Sequence, residues 1–186
     1  MELPSLPRRT FYFVRHGVTD YNRSRRVMGQ IDVPLNAEGR RQAGSAAVSL
    51  RGTGVGSIFT SPLSRARETA AIIGAVLGVD VHVAEGLMER HWGIFQDRDI
   101  SHRPLDADPE GGETQAAFMA RAIGAVAGLP GPPPVLLVAH NGVCRALRRH
   151  LGLSGAEGAV PNAVPLRFDP TPAGWSETPV GSGIVR

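Results

Sequence analysis

The chain contains no lysine, a single cysteine and few aromatic residues. All 20 of its Lys and Arg positions are arginine. The absence of lysine excludes a Walker-type phosphate-binding loop, a lysine Schiff base and a lysine general base. The single cysteine, Cys144, excludes an intrachain disulfide and any metal site built from several cysteines. Its neighbours are mostly apolar, which favours a small buried residue over a nucleophile.

Long apolar segments are also missing. No stretch approaches the length of a membrane span, and the N-terminal residues lack the apolar core of a signal peptide. We therefore expect a cytoplasmic protein with no membrane partner. The chain has 186 residues, of which 42% are hydrophobic and 20% charged, so we predict a single domain over residues 1–186.

The charge is mildly positive, at +3 with a pI near 9.9. This balance favours anionic partners. However, the basic clusters are short and aromatic residues make up only 5% of the chain, so we do not expect nucleic-acid binding. A homodimeric assembly is left open.

Short apolar runs alternate with segments of helical periodicity. Strands are predicted at 10–14, 57–60, 79–84 and 135–139, and the first and last of these are expected to be buried. Helices are predicted at 36–50, from 61 onward, at 113–127 and at 142–150. A further strand at 164–168 is expected to be antiparallel at an edge. This alternation predicts an α/β fold, a three-layer α/β/α sandwich with a mostly parallel central sheet.

Two histidines fall at the same predicted edge of this sheet. Arg15 and His16 end the first strand, and His140 ends the strand at 135–139. In parallel sheets ligands bind beyond the carboxyl ends of the strands, so we expect both imidazoles in one site. An arginine beside a histidine can hold an oxyanion that the imidazole also faces. Asn22 could donate to the same anion, although an isolated asparagine usually marks a turn.

A second arginine is expected at this edge. Ser61 and Pro62 predict a helix start, with serine as the cap and proline at the first helical position. Arg65 would lie about one turn into that helix, where its guanidinium and the free N–H groups can act together on a phosphate. His140 also precedes a helix, which lowers an imidazole pKa, whereas a nearby anion raises it. The balance between these two effects is left open.

Taken together, these segments resemble the histidine phosphatase superfamily, the phosphoglycerate-mutase-like proteins. The similarity begins with Phe-Val-Arg-His-Gly-Val-Thr-Asp-Tyr-Asn at 13–22. It continues, in the family's order, at 29–36, 61–70, 87–90, 111–113 and 138–142. The motif-bearing part covers roughly residues 10–150, and it implies a phosphoglycerate mutase-like fold with a short substrate-side lid at about 86–112.

The resemblance implies a role for each matching position. His16 would be the nucleophile and would become phosphohistidine. Glu89 would protonate the leaving oxygen and then activate water. The residues implied to bind the phosphoryl group or the substrate are Arg15, Asn22, Arg65, Arg90 and His140. No metal or cofactor is expected, because two guanidiniums and an imidazole can neutralise the phosphoryl oxygens without Mg²⁺.

Two positions depart from the pattern of the family. Asp97 stands where relatives commonly have glycine, and Asn141 replaces a small residue that often follows the second histidine. Both departures concern the substrate side of the site.

The sequence also bears on the reaction. The segment Glu89 to Gly93 is similar to the mutase form, but Thr19 stands where mutases usually have serine. The short lid lacks the lysine and paired arginines of the cofactor-dependent mutases. A small lid excludes water poorly, so we expect a metal-independent phosphomonoester hydrolase acting on a small anionic phosphorylated metabolite. A phosphoglycerate mutase is the alternative. A non-catalytic phosphate-binding module is less favoured, because all the implied catalytic residues are present.

Several loop residues could surround the mouth of the site. They are Arg23, Arg25, Arg26, Arg90, Arg98, His102 and Arg103. They could select a substrate with a second anionic group, or they could be solvated charges, and both interpretations stay open. The other histidines, His82, His91, His102 and His150, lack metal-ligand spacing.

Overall fold

A mixed sheet lies at the centre of the protein. The computed structural model describes residues 2–104, 108–131 and 133–181. The strands of the described residues are β1 (Phe11–Arg15), β2 (Ser57–Thr60), β3 (Val81–Val83), β4 (Val135–Ala139), β5 (Leu166–Thr171) and β6 (Gly174–Pro179). Their order in the sheet is β3-β2-β4-β1-β5-β6. Strands β3, β2, β4 and β1 are parallel to one another. Strand β5 pairs antiparallel with β1, and β6 pairs antiparallel with β5.

The helices of the described residues connect these strands. They are α1 (Asp20–Arg23), α2 (Ala37–Ser49), α3 (Ser64–Leu77), α4 (Gln115–Ala127) and α5 (Asn141–His150). Short 3-10 turns lie at Glu85–Leu87, Gly93–Phe95 and Ile100–His102, within or beside the predicted lid. Among the residues that the structure describes, none of the helices combines the length and apolarity needed to traverse a bilayer.

Alternate side chains of β1 enter opposite halves of the core, because successive strand residues point to opposite faces. Phe11 and Phe13 belong to a cluster with buried residues of α4 and α5. Tyr12 and Val14 belong to a second cluster with buried residues of α2 and α3. Helices therefore cover both faces of a mostly parallel sheet, and the predicted three-layer α/β/α sandwich is confirmed.

Several elements were predicted closely. Strands β2 and β4 have the predicted bounds, and β1 is shifted by one residue so that it includes Arg15. Asn36 caps α2 as predicted, because its side chain accepts a hydrogen bond of 2.9 Å from the Gly39 N–H. These elements depend on local signals, namely a buried apolar run or a side-chain cap.

The predicted start of α3 was wrong. The helix begins at Ser64, so Arg65 is its second residue and does not lie a full turn in. Ser61 still belongs to the sheet edge, since its N–H donates to the Val138 carbonyl. The first helical N–H is satisfied from outside, because Ser64 N–H donates to Asp32 Oδ1 at 2.7 Å.

The edges of the sheet also differ from the prediction. Strand β3 is only three residues long, and all three are exposed. Strand β5 is antiparallel as predicted, but it is not at the edge, because the unpredicted β6 pairs along it. Aromatic contacts stabilise the pairing of these strands. The Phe11 ring of β1 stacks on Phe168 of β5 at 4.7 Å and lies 5.7 Å from the Trp175 ring of β6. The short helix α1 was also missed.

We predict that Phe168→Ala lowers the free energy of unfolding by about 3–5 kcal/mol, the usual cost of truncating a buried phenylalanine. Phe168 is fully buried, whereas the side chain of Val48 is more than half exposed. Urea unfolding should therefore show a change within about 0.5 kcal/mol for the control variant Val48→Ala. Equal effects of the two substitutions would contradict the proposed packing of β5 on β1.

Candidate active site

The pairing of β1 with β4 brings the two histidines together. Arg15 is in register with Ala139, and the His16 N–H donates to the Ala139 carbonyl at 2.9 Å. His16 and His140 each follow one member of this pair, and their ring centroids are 5.2 Å apart. Both imidazoles thus lie at one sheet edge, as their places at the strand ends predicted.

His16 is oriented by its own backbone. Its Nδ1 lies 2.8 Å from the Gly17 carbonyl oxygen, and a carbonyl can only accept, so Nδ1 carries the hydrogen and Nε2 has the free lone pair. The pKa of His16 lies well below its ordinary value because of burial and the charges of Arg65 and Arg15, and the bond to Gly17 opposes this shift only in part. A neutral imidazole with a free Nε2 can act as a nucleophile.

His140 is held by a serine that the sequence did not single out. Its Nε2 lies 2.7 Å from Ser61 Oγ, which also accepts from the Leu63 N–H. The serine hydroxyl can then donate to Nε2, which leaves a hydrogen on Nδ1. That Nδ1 atom is buried and has no hydrogen-bond partner within the described part of the chain. It is therefore free to donate to an oxyanion.

The charge of His140 was left open by the sequence. Its pKa is well below the ordinary value, because the side chain is fully buried and lies near the positive charge of Arg65. His16 and Arg15 push the pKa further in the same direction. Without an anion in the site, burial and the nearby charges therefore favour the neutral imidazole.

Two guanidiniums are fixed by backbone carbonyls. Arg15 Nη1 donates to Val160 at 2.7 Å. Arg65 is fully buried, and its two terminal nitrogens donate to Ile31 and Gly29 at 2.8 and 2.7 Å. In both residues the Nε atom is buried without a partner among the described residues.

Burial of these cations has an electrostatic consequence. Burial lowers the pKa of Arg15, and it lowers the pKa of Arg65 to about 10. Glu89 opposes both shifts, whereas the charge of Arg15 adds to the lowering at Arg65. Buried donors without partners are unfavourable, so an oxyanion between these residues would stabilise the arrangement.

Glu89 is held by two backbone N–H groups. Its Oε1 accepts from Arg90 at 2.8 Å, and its Oε2 accepts from Gly142 at the N-terminus of α5 at 3.0 Å. A Cβ atom at position 142 would lie 2.1 Å from Oε1. Glycine is therefore needed at this position for the carboxylate to occupy its place.

Asn22 is both a turn residue and a site residue. Its Oδ1 accepts from the N–H and the hydroxyl of Thr19, within a capping box of α1. The side chain also lines the cavity described below. Its Nδ2 group is thus the part that can serve a ligand.

A cavity of about 280 Å³ opens beside His16. Five of the predicted site residues line it: Arg15, His16, Asn22, Arg65 and Glu89. The other lining residues are Arg26, Val27, Met28, Gly29, Trp92, Ile100, Arg103, Asn141, Arg145, Glu157 and Ala159. His140 is fully buried against His16 and does not line the open space.

Arg90 does not join this set. Its guanidinium donates to the Glu113 carbonyl, to Gln115 Oε1 and to Asp108 Oδ1, at 2.8, 2.9 and 2.9 Å. The side chain is almost fully buried and is absent from the cavity lining. Arg90 is therefore held by these three residues away from the cavity, whereas the sequence predicted that it binds substrate.

Sequence reasoning missed several supports of the site. Asn162 Nδ2 donates to the His16 carbonyl at 2.8 Å, and Thr69 Oγ1 accepts from the Gly17 N–H at 3.1 Å. The Val160 carbonyl orients Arg15. A lone polar residue or a backbone carbonyl carries no sequence signal, so only the tertiary contacts could identify these groups.

The structure accounts for both departures from the family pattern. Asp97 has a φ of 66°, in the left-handed region that favours glycine and that aspartate tolerates. Its carboxylate pairs with Arg26 at 3.0 Å. Asn141 Oδ1 accepts from the Val160 N–H at 2.9 Å and so ties α5 to the segment that orients Arg15.

No group of three or more His, Cys, Asp or Glu side chains suited to a metal ion occurs within residues 2–104, 108–131 and 133–181. The absence of a metal or cofactor from the reaction stays a prediction.

The lowered histidine pKa values predict acid sensitivity. Below the ordinary histidine pKa of about 6.5, the unfolded chain binds protons that the buried imidazoles of His16 and His140 resist, so stability falls with pH. In phosphate-free buffer below that pH, the unfolding free energy of His140→Gln should depend less steeply on pH than that of the unsubstituted protein. The two slopes should differ by up to about 1.4 kcal/mol per pH unit. Urea unfolding at several pH values measures the slope.

The control for this prediction is His82→Gln, which removes an exposed histidine of β3. It should retain the pH slope of the unsubstituted protein. A slope for His140→Gln that equals that of the control would show that His140 does not resist protonation in the folded state.

Comparison with known proteins shows the family to which this chain belongs. The profile of the Histidine phosphatase superfamily (branch 1) matches residues 11–175. Among solved structures, a mycobacterial glucosyl-3-phosphoglycerate phosphatase in complex with VO3 has a TM-score of 0.78 and 30% identity, covering 92% of this chain and 97% of that one. The protein TTHB049 of Thermus thermophilus has a TM-score of 0.74 and 32% identity, over 86% of this chain and 93% of that one.

A curated relative, the probable phosphoglycerate mutase GpmB of Escherichia fergusonii, is 40% identical over 89 residues, which are 48% of this chain. The match covers only 41% of the length of that relative. The profile match, by contrast, spans the positions of His16, His140, Arg15, Arg65 and Glu89. The chain therefore belongs to branch 1 of the histidine phosphatase superfamily.

Proposed function

We propose that the protein is a metal-independent phosphomonoester hydrolase that acts on a small anionic phosphorylated metabolite through a phosphohistidine at His16. The observation that carries this proposal is the pair of partly unsatisfied guanidiniums, Arg15 and Arg65, beside a neutral His16 with a free Nε2. Phosphoryl transfer depends on positioning and on neutralising the equatorial oxygens, and this group of residues supplies both.

The reaction would proceed in two displacements. In the first, the lone pair of His16 Nε2 forms a bond to phosphorus while the bond from phosphorus to the ester oxygen breaks. Glu89 gives its proton to that leaving oxygen. In the second, Glu89 takes a proton from water, whose oxygen bonds to phosphorus as the N–P bond breaks. Inorganic phosphate leaves, and both side chains return to their initial states.

The remaining residues would hold the phosphoryl oxygens. Arg15 and Arg65 contribute Nε–H donors, and His140 contributes Nδ1–H through the tautomer that Ser61 favours. Removing one such preorganised donor typically costs about 3–4 kcal/mol of transition-state stabilisation. That VO3, a small oxyanion, is bound in the mycobacterial phosphatase of the same fold supports an oxyanion site here.

Two observations favour hydrolysis over phosphoryl transfer to a second substrate. The predicted lid segment, of which residues 105–107 lie outside the described part of the chain, is short, and the cavity beside His16 is open to solvent, so water could reach a phosphohistidine. The structural relatives that cover most of this chain include a phosphatase. The curated relative named as a mutase supports the alternative, but it matches less than half of the chain.

A panel of phosphomonoesters in the presence of a chelator tests this function. It should include an aryl phosphate, glycerol 3-phosphate, and 3-phosphoglycerate with and without 2,3-bisphosphoglycerate. We expect release of inorganic phosphate, a phosphohistidine detected by mass spectrometry after rapid quenching, and loss of both in His16→Ala. Exchange of phosphate between glycerate positions that outpaces phosphate release would support the mutase. Ligand binding without turnover would support a non-catalytic module.

We predict that Glu89→Gln lowers kcat for alkyl esters by roughly 10²–10⁴-fold, because the amide cannot donate a proton to the leaving oxygen. Aryl esters should be affected much less, since their leaving groups need little protonation. Steady-state kinetics on matched alkyl and aryl phosphates measures the difference. Equal losses for the two substrate classes would assign Glu89 a role other than that of the acid.

Gly142→Ala tests the position of the same carboxylate. The added Cβ would overlap Glu89 Oε1, so alkyl esters should again lose more activity than aryl esters, while the fold is kept. The matched control is Gly44→Ala in α2, where no atom lies within 4 Å of the added carbon. That control should retain activity and gain about 0.4–1 kcal/mol of stability.

A further inference from the structure

The seven basic loop residues that could surround the mouth of the site differ in position. Only Arg26 and Arg103 line the cavity that contains His16. Arg23, Arg25 and Arg98 are exposed residues outside its lining, and His102 is exposed as well. The structure therefore leaves two of these seven residues in a position to contact a second substrate group. Arg145 also lines the cavity, but it is paired with Glu157.

The two remaining arginines differ in their partners. Arg26 is engaged with Asp97, because its Nε and Nη2 donate to the Asp97 carbonyl and its Nη2 also pairs with the carboxylate at 3.0 Å. Arg103 has no ion pair or hydrogen bond from its guanidinium to any described residue. Its Nε is buried, although the side chain lies at the cavity. Within the described part of the chain, Arg103 is thus a positioned cation whose guanidinium donors have no partner.

An aromatic ring holds Arg103 in place. Its guanidinium carbon lies 4.5 Å from the ring centroid of Trp92, and that of Arg90 lies at the same distance. Trp92 is buried, and Arg90 is anchored through Asp108 and Gln115. Cation–π contacts orient a guanidinium but leave its N–H groups in the plane free to donate. The contact with Trp92 therefore gives the Arg103 guanidinium a defined position.

Arg103 also lies within electrostatic range of the reacting groups. Its charge contributes to the lowered pKa of Arg15, and Glu89 raises the pKa of Arg103 against the effect of burial. A second cation against the same indole is unfavourable, because Arg90 lowers the pKa of Arg103 as well. An anion bound at Arg103 would relieve this repulsion and satisfy the buried donor.

We propose that Arg103 is a specificity residue that binds a second oxyanion of the substrate, so that the enzyme prefers phosphomonoesters that carry a further carboxylate or phosphate. This inference rests on the proposed hydrolase function. One oxyanion of the substrate binds at Arg15, Arg65 and the two histidines. The second accepts hydrogen bonds from the planar N–H groups of Arg103, on the Trp92 side of the same cavity. A guanidinium binds carboxylate and phosphate through the same paired N–H groups, and the choice between them is left to the test.

The test compares esters that differ only in the second anion. 3-Phosphoglycerate and glycerol 3-phosphate differ by a carboxylate in place of a hydroxymethyl group. 1,3-Propanediol bisphosphate and its monophosphate differ by one phosphate. For the unsubstituted protein we expect kcat/KM to favour the member with the second anion, in one or both pairs, by roughly tenfold or more.

Arg103→Gln should reduce this preference by roughly 10- to 100-fold, the range expected when a charge-assisted hydrogen bond is lost. The change should lie mainly in KM, because the second anion is bound equally in the ground and transition states. Arg98→Gln, an exposed arginine of the same loop outside the cavity lining, should keep the preference. Arg103→Lys retains the positive charge but loses the planar pair of N–H donors. Its preference for the second anion should therefore lie between those of Arg103→Gln and Arg98→Gln.

Thermal melts of the variants verify folding, and Arg103→Lys provides the comparison should Arg103→Gln not fold. The proposal is overturned if substitution of Arg103 changes kcat/KM equally for both esters of each pair, or for neither ester, while hydrolysis itself is normal. If no ester is hydrolysed, the proposed function fails. Calorimetry of the same ligand pairs with His16→Ala, with and without Arg103→Gln, then decides whether Arg103 discriminates between them.

Discussion

The organisation of this site depends on positive charge that is buried before any ligand arrives. Arg65 is fully buried, and Arg15 beside it keeps a buried Nε without a partner among the described residues. Backbone carbonyls of Gly29, Ile31 and Val160 fix the two guanidiniums but cannot neutralise them. The folded protein thus contains buried positive charge that a bound anion would stabilise. The packing of the sheet and helices provides the free energy that offsets the cost of burying this charge.

The same charges act on the histidines. Burial of the two rings and the cations beside them lower the pKa of both imidazoles, which favours the neutral form of each. Hydrogen bonds to the Gly17 carbonyl and to Ser61 then favour one tautomer for each ring. One histidine presents a lone pair, and the other presents a hydrogen. Two residues of the same type therefore differ in chemistry because their hydrogen-bond partners differ.

Much of this arrangement could be predicted from sequence, for identifiable reasons. Buried strands are short apolar runs, and the strand ends placed His16 and His140 at one edge, which the pairing of β1 with β4 bears out. Predictions from single residues were less successful. Ser61 fits the sequence pattern of a helix cap, yet its hydroxyl lies 2.7 Å from His140 Nε2. Arg90 follows Glu89 directly, but its guanidinium binds Asp108, Glu113 and Gln115 and does not line the cavity.

The sequence alone determined the alternation of strands and helices, the residues able to perform phosphoryl chemistry and the lack of any lysine to do so instead, because these follow from local pattern and side-chain type. The tertiary structure decided which donors are left without partners. Arg26 and Arg103 look alike in the sequence, but the guanidinium of Arg26 is paired with Asp97, whereas that of Arg103 stacks on Trp92 and has no ion pair with a described residue. Partners distant in the chain carry no local signal, so that distinction arises only when the chain is folded.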